Sequence, residues 1–245
     1  MPPLDLEQIK KKAISESVAE QLRMAILRGE VSVGERLPPE RELAPRFGTN
    51  RNTLREAIRS LEAQGLVVAR QGDGVRVADF KRGGELSLLP DLLRISDGEE
   101  RTKMIGDVLL MRRTMAVEVA RVAASRATDD SLRELREVLG RQRANEGDLL
   151  RTLLTDLELY EAMVTAADSI MASLLFSTLN RLARACLELV PALLYVHPEY
   201  VASMGLVVAA IEEGEPDKAG RALSHLLEKT DAVLIERLRN FPEPL

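Results

Sequence analysis

The chain has 245 residues, of which 45% are hydrophobic and 30% are charged, and its formal net charge at pH 7 is −5. This composition is typical of a globular protein, and the length allows one or two domains. A single cysteine excludes an internal disulfide and any zinc cluster built on cysteines. No apolar run is long enough to span a bilayer, and residues 1–12 contain no signal-peptide core, so we expect a cytoplasmic protein.

The negative charge is unevenly distributed along the chain. Residues 1–80 contain 13 Lys and Arg against 12 Asp and Glu, whereas residues 81–245 contain 21 against 27. The acidic excess therefore lies outside the N-terminal third, and a negative total does not exclude a polyanionic partner there, because local arrangement decides the attraction.

Three helices are predicted in the N-terminal third. An apolar stripe from Val18 to Ile26 predicts the first, which ends near Gly29. The second spans Glu40 to Phe47, and Gly48 turns the chain into the third, Arg51 to Gln64. The third helix has Asn50 or Thr49 as its N-cap, Gly65 as its C-terminal stop, and an apolar stripe of Leu54, Ala57, Ile58 and Leu61. Two short helices joined by a tight turn predict a helix-turn-helix.

A row of arginines runs along the third helix beside its apolar stripe. Arg51, Arg55 and Arg59 recur at every fourth position, with Asn52 on the same outward side. Arginine can pair with O6 and N7 of guanine, asparagine can bond adenine, and Thr53 can reach a phosphate or a thymine methyl. On a lone helix such a row is usually a solvated face. On the second helix of a helix-turn-helix it predicts a DNA-binding surface.

A β-hairpin follows this helix. Leu66 to Arg70 is apolar and β-branched, Gln71-Gly72-Asp73-Gly74 favours a turn, and Val75 to Val77 returns as a strand. Together with the helices, the hairpin predicts a winged helix over residues 1–80.

These motifs resemble the GntR family of bacterial transcription regulators. The matching stretches are Leu37 to Ala44, Gly48 to Ala57, Glu62 to Leu66 and Arg70 to Gly74. The resemblance implies DNA contacts by Arg41, Arg51, Asn52, Thr53, Arg55, Gln71 and Gly72. Two residues depart from the pattern. Pro39 replaces a capping serine, and Pro45 lies inside the second helix, where we expect a kink or a shortened helix with no loss of fold.

The remainder of the chain is predicted to be helical. Residues 81–98 are predicted to form a linker that contains one helix, Glu85 to Arg94. Residues 99–245 are predicted to form a bundle of six or seven helices, which can enclose a ligand cavity. The fold class is therefore mainly α, with a small β-hairpin wing. The predicted helices of the bundle are 99–126, 129–144, 148–167, 169–189, 198–213 and 216–240.

The bundle resembles the effector domain of the FadR subgroup of that family. Most members hold a divalent metal with one aspartate and three histidines, and here the corresponding positions are Asp156, Tyr160, Met204 and Leu226. Met and Leu are poor ligands or none for such ions. We therefore predict no metal and no cofactor, although a site formed by His225 with Asp156 stays open.

The same resemblance implies an effector pocket lined by Arg112, Asp156, Tyr160 and Met204. Arg112 could bind a carboxylate or phosphate with two hydrogen bonds, or form a salt bridge on the helix surface. Tyr160 could bind the effector or simply pack in the bundle with its hydroxyl satisfied. A fatty acyl-CoA and a small carboxylate are both candidate effectors, because the fatty acid regulator of this subgroup also lacks the histidines and shares features of the linker.

The sequence thus predicts a ligand-responsive transcription regulator that binds a pseudo-palindromic operator as a homodimer. No nucleophile with a paired histidine and no phosphate-binding glycine loop was found, so we predict that it is not an enzyme. The alternative is an architectural DNA-binding protein without an effector. A ligand-sized pocket in the bundle favours the first hypothesis, and a solid core favours the second.

Overall fold

The computed structural model describes residues 11–70, 72–189, 195 and 197–240, except for the side chains of residues 11–13, 182 and 185–189. The chain divides into two compact units, Met1–Ile95 and Ser96–Leu245. Each unit has its own apolar core. None of the helices in the described ranges combines the length and the apolar character needed to cross a membrane.

The N-terminal unit is a winged helix followed by short helical segments. The two strands pair antiparallel, with Val67 opposite Val77 and Arg70 opposite Gly74. The elements in chain order are α1 (Lys11–Leu27), α2 (Glu40–Arg46), α3 (Arg51–Ala63), β1 (Val67–Arg70), β2 (Gly74–Val77), α4 (Phe80–Gly83), a 3₁₀ turn (Leu86–Leu88) and α5 (Leu89–Ile95).

Local sequence explains both ends of α3. The side-chain oxygen of Asn50 accepts a hydrogen bond from the backbone N–H of Thr53 at 3.0 Å, which satisfies one of the free donors of the first turn. After the C-cap residue Gln64, Gly65 takes a φ of +73°, a conformation that residues with a Cβ rarely adopt. The predicted helix, its asparagine cap and its glycine stop are all present.

The two prolines around α2 have limited effects. Pro39 occupies the N-cap position without any side-chain cap hydrogen bond, as predicted from the loss of the serine. Pro45 lies in the last turn of this seven-residue helix, which ends at Arg46, one residue before the predicted end. The backbone N–H of Phe47 still donates to Leu43 at 3.1 Å, so the turn into α3 is preserved.

The core of the N-terminal unit forms around one face of α3. The predicted stripe is buried, with Leu54, Ala57 and Leu61 at 0% exposure and Ile58 at 6%. Val18 and Leu22 of α1 and Leu43 of α2 belong to the same cluster. Burial of this stripe orients α3, because helical periodicity places the remaining side chains on the opposite, solvated face.

The segment after the wing packs onto the same unit. Leu88 joins the apolar core, and Arg23 of α1 donates to Asp91 of α5 at 2.6 Å. For this segment the sequence predicts a linker over residues 81–98 with one helix over 85–94. The structure forms a 3₁₀ turn and the shorter α5 there and includes them in the first compact unit.

The C-terminal unit is a bundle of six helices within the described part of the chain, as the sequence predicted. Helix α6 packs along α11 and α8, and α10 lies against α6, α7 and α11. Alanines on α6, including Ala120 and Ala123 at 0% exposure, permit close helix packing. The helices are α6 (Gly98–Arg126), α7 (Asp129–Ala144), α8 (Leu149–Ala166), α9 (Ile170–Leu189), α10 (Tyr200–Glu212) and α11 (Pro216–Arg239).

The turn after α3 yields a stability prediction. A Cβ on Gly65 would lie 2.1 Å from the carbonyl oxygen of Gly83, whereas a Cβ on Gly34, at a similar positive φ, would meet open space. We expect Gly34→Ala to cost about 1 kcal/mol from backbone strain alone. Gly65→Ala should cost at least about 3 kcal/mol, because the steric contact adds to the strain. Urea unfolding of the two variants measures the difference, and equal costs would contradict the close backbone approach.

Candidate functional site

The solvated face of α3 carries the arginine row that the sequence predicted. Arg51, Asn52, Arg55 and Arg59 are all exposed, opposite the buried stripe. Arg51 and Asn52 lie in the first turn, where free backbone N–H groups add to the positive potential. This face therefore presents several hydrogen-bond donors and positive charges together.

Thr53 is placed differently from its neighbours. The residue is only 3% exposed, and its hydroxyl donates to the Asn50 side-chain oxygen at 3.3 Å. The side chain thus belongs to the N-cap of α3, and its contact to DNA stays a prediction. Of the two wing residues, Gly72 is exposed at the turn with a φ of +82°, and Gln71 lies outside the described residues.

Two of the predicted DNA-binding arginines have carboxylate neighbours. Arg41 is 73% exposed, with its Nε 3.6 Å from Glu42. The Nε of Arg55 donates to both carboxylate oxygens of Glu40, at 3.0 and 2.8 Å. This hydrogen bond is the main cause that raises the pKa of Arg55. No local sequence pattern points to Glu40, because its partner lies 15 residues away on another helix.

The turn at the tip of the wing is held by a carboxylate between two arginines. Asp73 accepts hydrogen bonds from Arg76, with Nε at 2.6 Å, and from Arg36. The bonds from Arg76 and then Arg36 hold the pKa of Asp73 well below its usual range. The backbones of Arg36 and Arg76 also form an isolated bridge, so the segment before α2 pairs with β2 and braces the hairpin.

A polar cluster is buried in the C-terminal unit around Asp156 of α8. One carboxylate oxygen accepts from Gln142 Nε2 at 3.1 Å, and the other accepts from the Tyr200 hydroxyl at 2.9 Å. Asp156 is 7% exposed, Tyr200 4% and Gln142 0%. The carboxylate therefore has polar partners from α7 and α10, as a buried charged group requires.

Arg112 of α6 borders this cluster. Its Nη2 donates to Asp231 of α11 at 2.7 Å, and the neighbouring Arg113 lies 3.5 Å from the other oxygen of Asp231. Asp156, Tyr160 and Tyr200 all contribute to the electrostatic environment of the half-buried Arg112 guanidinium. The predicted effector residues Arg112, Asp156 and Tyr160 are thus brought together.

Three buried polar atoms in this region lack a hydrogen-bond partner among the described residues. They are the Arg112 Nε, the Gln142 Oε1 and the Tyr160 hydroxyl, which interacts with the Tyr200 hydroxyl without meeting hydrogen-bond geometry. Leaving a buried donor or acceptor unpaired costs about 1–3 kcal/mol. A bound molecule that pairs with them would recover part of that cost, so the cluster has the chemical character of a ligand site.

Burial also sets the protonation of the cluster. It raises the pKa of Asp156 to about 6, against the hydrogen bond from Tyr200, the charge of Arg112 and the hydrogen bond from Gln142, which lower it. Burial raises the pKa values of Tyr160 and Tyr200 as well, so both hydroxyls are neutral donors near pH 7.

The fourth predicted effector residue, Met204, is 0% exposed and packs in the apolar core with Tyr160 and Tyr200. Tyr200 was missed, although it precedes Met204 by four residues and so shares its helix face. Gln142 and Asp231 were also missed, and no sequence spacing connects them to Asp156 or Arg112.

The donors at the positions of the family's metal ligands do not fit a divalent ion. Met204 and Leu226 are buried in the core, and Tyr160 supplies a neutral hydroxyl. His225 is exposed on α11 whereas Asp156 is buried, so the open alternative of a site formed by these two has no geometric support. Across the described residues no group of three or more His, Cys, Asp or Glu side chains could hold an ion.

A separate groove of about 630 Å³ lies between α6 and α11. None of the four predicted effector residues lines it, but Asp231 and Arg113 do. Asp231 therefore faces this groove while it accepts a hydrogen bond from Arg112, which borders the buried cluster. The other lining residues are Gly106, Leu109, Leu110, Glu228, Ala232, Ile235, Glu236 and Arg239.

The raised pKa of Asp156 gives a pH prediction. An aspartate in the unfolded chain has a pKa of about 3.9, so the folded state holds this proton more tightly. The contribution of Asp156 to the free energy of unfolding is therefore largest below about pH 4, and it is lost as the pH rises through about 6. Relative to Asp156→Asn, wild type should lose about 2 kcal/mol of unfolding free energy between pH 4 and pH 7.

Urea unfolding of the two proteins across this range measures the loss. Asp130→Asn, which removes a carboxylate that is 86% exposed, is the control for the loss of one carboxylate. A difference between Asp156→Asn and wild type that does not change across this pH range would show that the buried carboxylate has an ordinary pKa.

A winged helix with an exposed arginine row, in a chain that also carries a helical bundle with buried polar groups, defines the class of winged-helix transcription regulators. The comparisons with known proteins agree. Residues 14–77 match the model of the bacterial regulatory proteins of the gntR family, and residues 107–229 match the model of the FCD domain. The chain belongs to the GntR family and carries an FCD domain, which implies binding of a small-molecule effector.

Its relatives are regulators. The chain is 31% identical over 230 residues to the HTH-type transcriptional regulator Mce2R of Mycobacterium tuberculosis, covering 94% of this chain and 95% of that protein. It is 29% identical over 221 residues to the HTH-type transcriptional repressor NanR of Cronobacter sakazakii, covering 89% and 84%. The solved structure of Lar of Listeria monocytogenes has the same fold, with a TM-score of 0.57, 16% identity and coverage of 95% and 99%.

Proposed function

We propose that this protein is a ligand-responsive repressor that binds a pseudo-palindromic operator as a homodimer. The observation that carries the proposal is the exposed row of Arg51, Arg55 and Arg59 on a helix whose opposite face is fully buried. Similarity to the repressor NanR supports repression rather than activation.

In this proposal α3 enters the major groove. Its length and solvated face suit the groove, and its N-terminal turn brings Arg51 and Asn52 towards base edges and phosphates. The wing, with Gly72 exposed at its tip, would follow the backbone of the adjacent groove. The brace of Arg36 and Arg76 on Asp73 supports this role, since it limits the movement of the hairpin.

A homodimer is proposed because one winged helix reads only a half-site. Two copies related by a twofold axis fit two half-sites of a pseudo-palindrome. The first turns of α9 carry exposed apolar side chains of the kind that subunit contacts bury, with Ile170 at 79% and Met171 at 65% exposure, followed by Leu174 and Leu175.

The buried polar cluster is the proposed effector site, and a small carboxylate is the effector that it suits best. Arg112 Nε and the Tyr160 hydroxyl are two unpaired buried donors, which a carboxylate could accept from together. A fatty acyl chain would need extensive apolar lining, whereas this cluster combines charged, phenolic and amide groups from four helices. The acyl-CoA alternative is therefore the weaker of the two.

Effector binding would act by favouring one arrangement of the two DNA-reading units over another. A ligand changes operator affinity only by its different affinity for the two arrangements. Asp231 offers a physical route, because a ligand that draws Arg112 away would leave this carboxylate with Arg113 alone. The loss of one partner of Asp231 on α11 is a local change that could favour one conformation of the bundle over another.

The DNA-binding part of the proposal is tested with substitutions in the arginine row. Arg51→Ala and Arg55→Ala should each weaken binding to an operator by about 1–3 kcal/mol and leave the unfolding free energy nearly unchanged. Arg133→Ala, an exposed arginine of the helical unit, is the matched control. The operator can be obtained by selection from random duplexes, and anisotropy titrations at fixed salt give the affinities. Unchanged affinity in both variants would remove the recognition role.

The effector part is tested by mass spectrometry of the protein in its native state, followed by binding of small carboxylates. We expect a small carboxylate to bind and to change operator affinity. Arg112→Ala and Tyr160→Phe should each weaken its binding about tenfold or more, since each removes a buried donor. A retained fatty acyl-CoA would favour the other effector class. Absence of any ligand that alters operator binding would favour the architectural alternative.

A further inference from the structure

One arginine of the row is held in place, and the others are not. Both oxygens of Glu40 accept from the Nε of Arg55. Arg51 and Arg59 have no salt bridge or side-chain hydrogen bond among the described residues. The Arg55 side chain remains 57% exposed even so. The contact joins the first residue of α2 to the second turn of α3.

The position of the bond on the guanidinium matters for recognition. Glu40 occupies only Nε, and the terminal nitrogens Nη1 and Nη2 have no partner in the described part of the chain. These two nitrogens present parallel N–H donors, which match O6 and N7 of one guanine. With Nε occupied, Arg55 can make this pair only through its terminal edge, which fixes the direction of approach.

We propose that Glu40 is a positioning residue that orients Arg55 for base recognition and so sets part of the sequence specificity. This inference rests on the proposed DNA-binding function. An unrestrained arginine side chain loses conformational entropy when it binds DNA. The bond to Glu40 already restricts Arg55 in the free protein, so its entropy loss on binding is smaller. As an exposed ion pair it stabilises the fold little, so its main effect is on Arg55 itself.

The rival explanation is that Glu40 only withholds Arg55 from DNA. The two roles predict opposite results when the negative charge is removed. A carboxylate that only withholds Arg55 lowers the affinity for every DNA sequence, because it neutralises the charge of Arg55 and repels the DNA phosphates. A positioning carboxylate raises the affinity for the operator relative to other DNA, because the fork on guanine carries sequence information and phosphate contacts do not.

The test uses the full-length protein, an operator selected from random duplexes, and a scrambled duplex of the same length. Glu40→Gln keeps the size of the side chain and removes its charge. We expect it to reduce the ratio of operator to scrambled affinity about fivefold to tenfold, with scrambled-DNA affinity unchanged or raised. The selected consensus should also lose its preference for guanine at one position per half-site. Glu56→Gln, which removes an exposed charge from α3, should leave the ratio unchanged.

A double variant separates positioning from other effects. In an Arg55→Ala background, Glu40→Gln should cause no further loss of the ratio, because no guanidinium is left to orient. A further loss there, or an unchanged or raised ratio in Glu40→Gln alone, overturns the proposal. If the wild-type protein selects no consensus and Arg55→Ala binds DNA as tightly as wild type, both the proposed DNA-binding function and the role of Glu40 are wrong. If Arg55→Ala loses specificity while Glu40→Gln keeps it, only the role of Glu40 is wrong.

Discussion

Burial of one face of α3 is the constraint on which the DNA-reading unit depends. Leu54, Ala57 and Leu61 have no exposed surface, so the helix cannot rotate about its axis without exposing apolar side chains. The arginine row is therefore presented in one direction only. The N-cap at Asn50 and the left-handed Gly65 fix where this helix begins and ends, which sets how far each arginine lies from the wing.

The helical unit follows a different rule, because its centre contains charge. Asp156 and Arg112 are tolerated there since hydrogen bonds from Gln142 and Tyr200 and the carboxylate of Asp231 compensate for lost hydration. The compensation is incomplete, as the unpaired donors at Arg112 and Tyr160 indicate. A core designed only for stability would not retain such groups, which is why this cluster is the proposed effector site.

The same chemistry explains the departure from the family's metal site. The resemblance places Tyr160, Met204 and Leu226 where other members have histidines, and the structure buries the last two in the apolar core. Asp156 keeps its position but takes Tyr200 and Gln142 as partners. Phenol and amide groups hold the carboxylate here by hydrogen bonds, and these partners do not require an ion.

The sequence by itself determined the elements and the class of protein. Helical periodicity identified the α3 stripe and the arginine row, and capping and glycine signals located the ends of α3, because these depend on residues within a few positions of one another. Tertiary structure alone decided the pairings. Glu40 meets Arg55 across 15 residues, Tyr200 meets Asp156 across 44, and Asp231 meets Arg112 across 119. Such contacts arise where packed helices cross, and no local spacing encodes which side chains meet there. Packing likewise decided the burial of Thr53 at the N-cap of α3, and its contact to DNA stays a prediction.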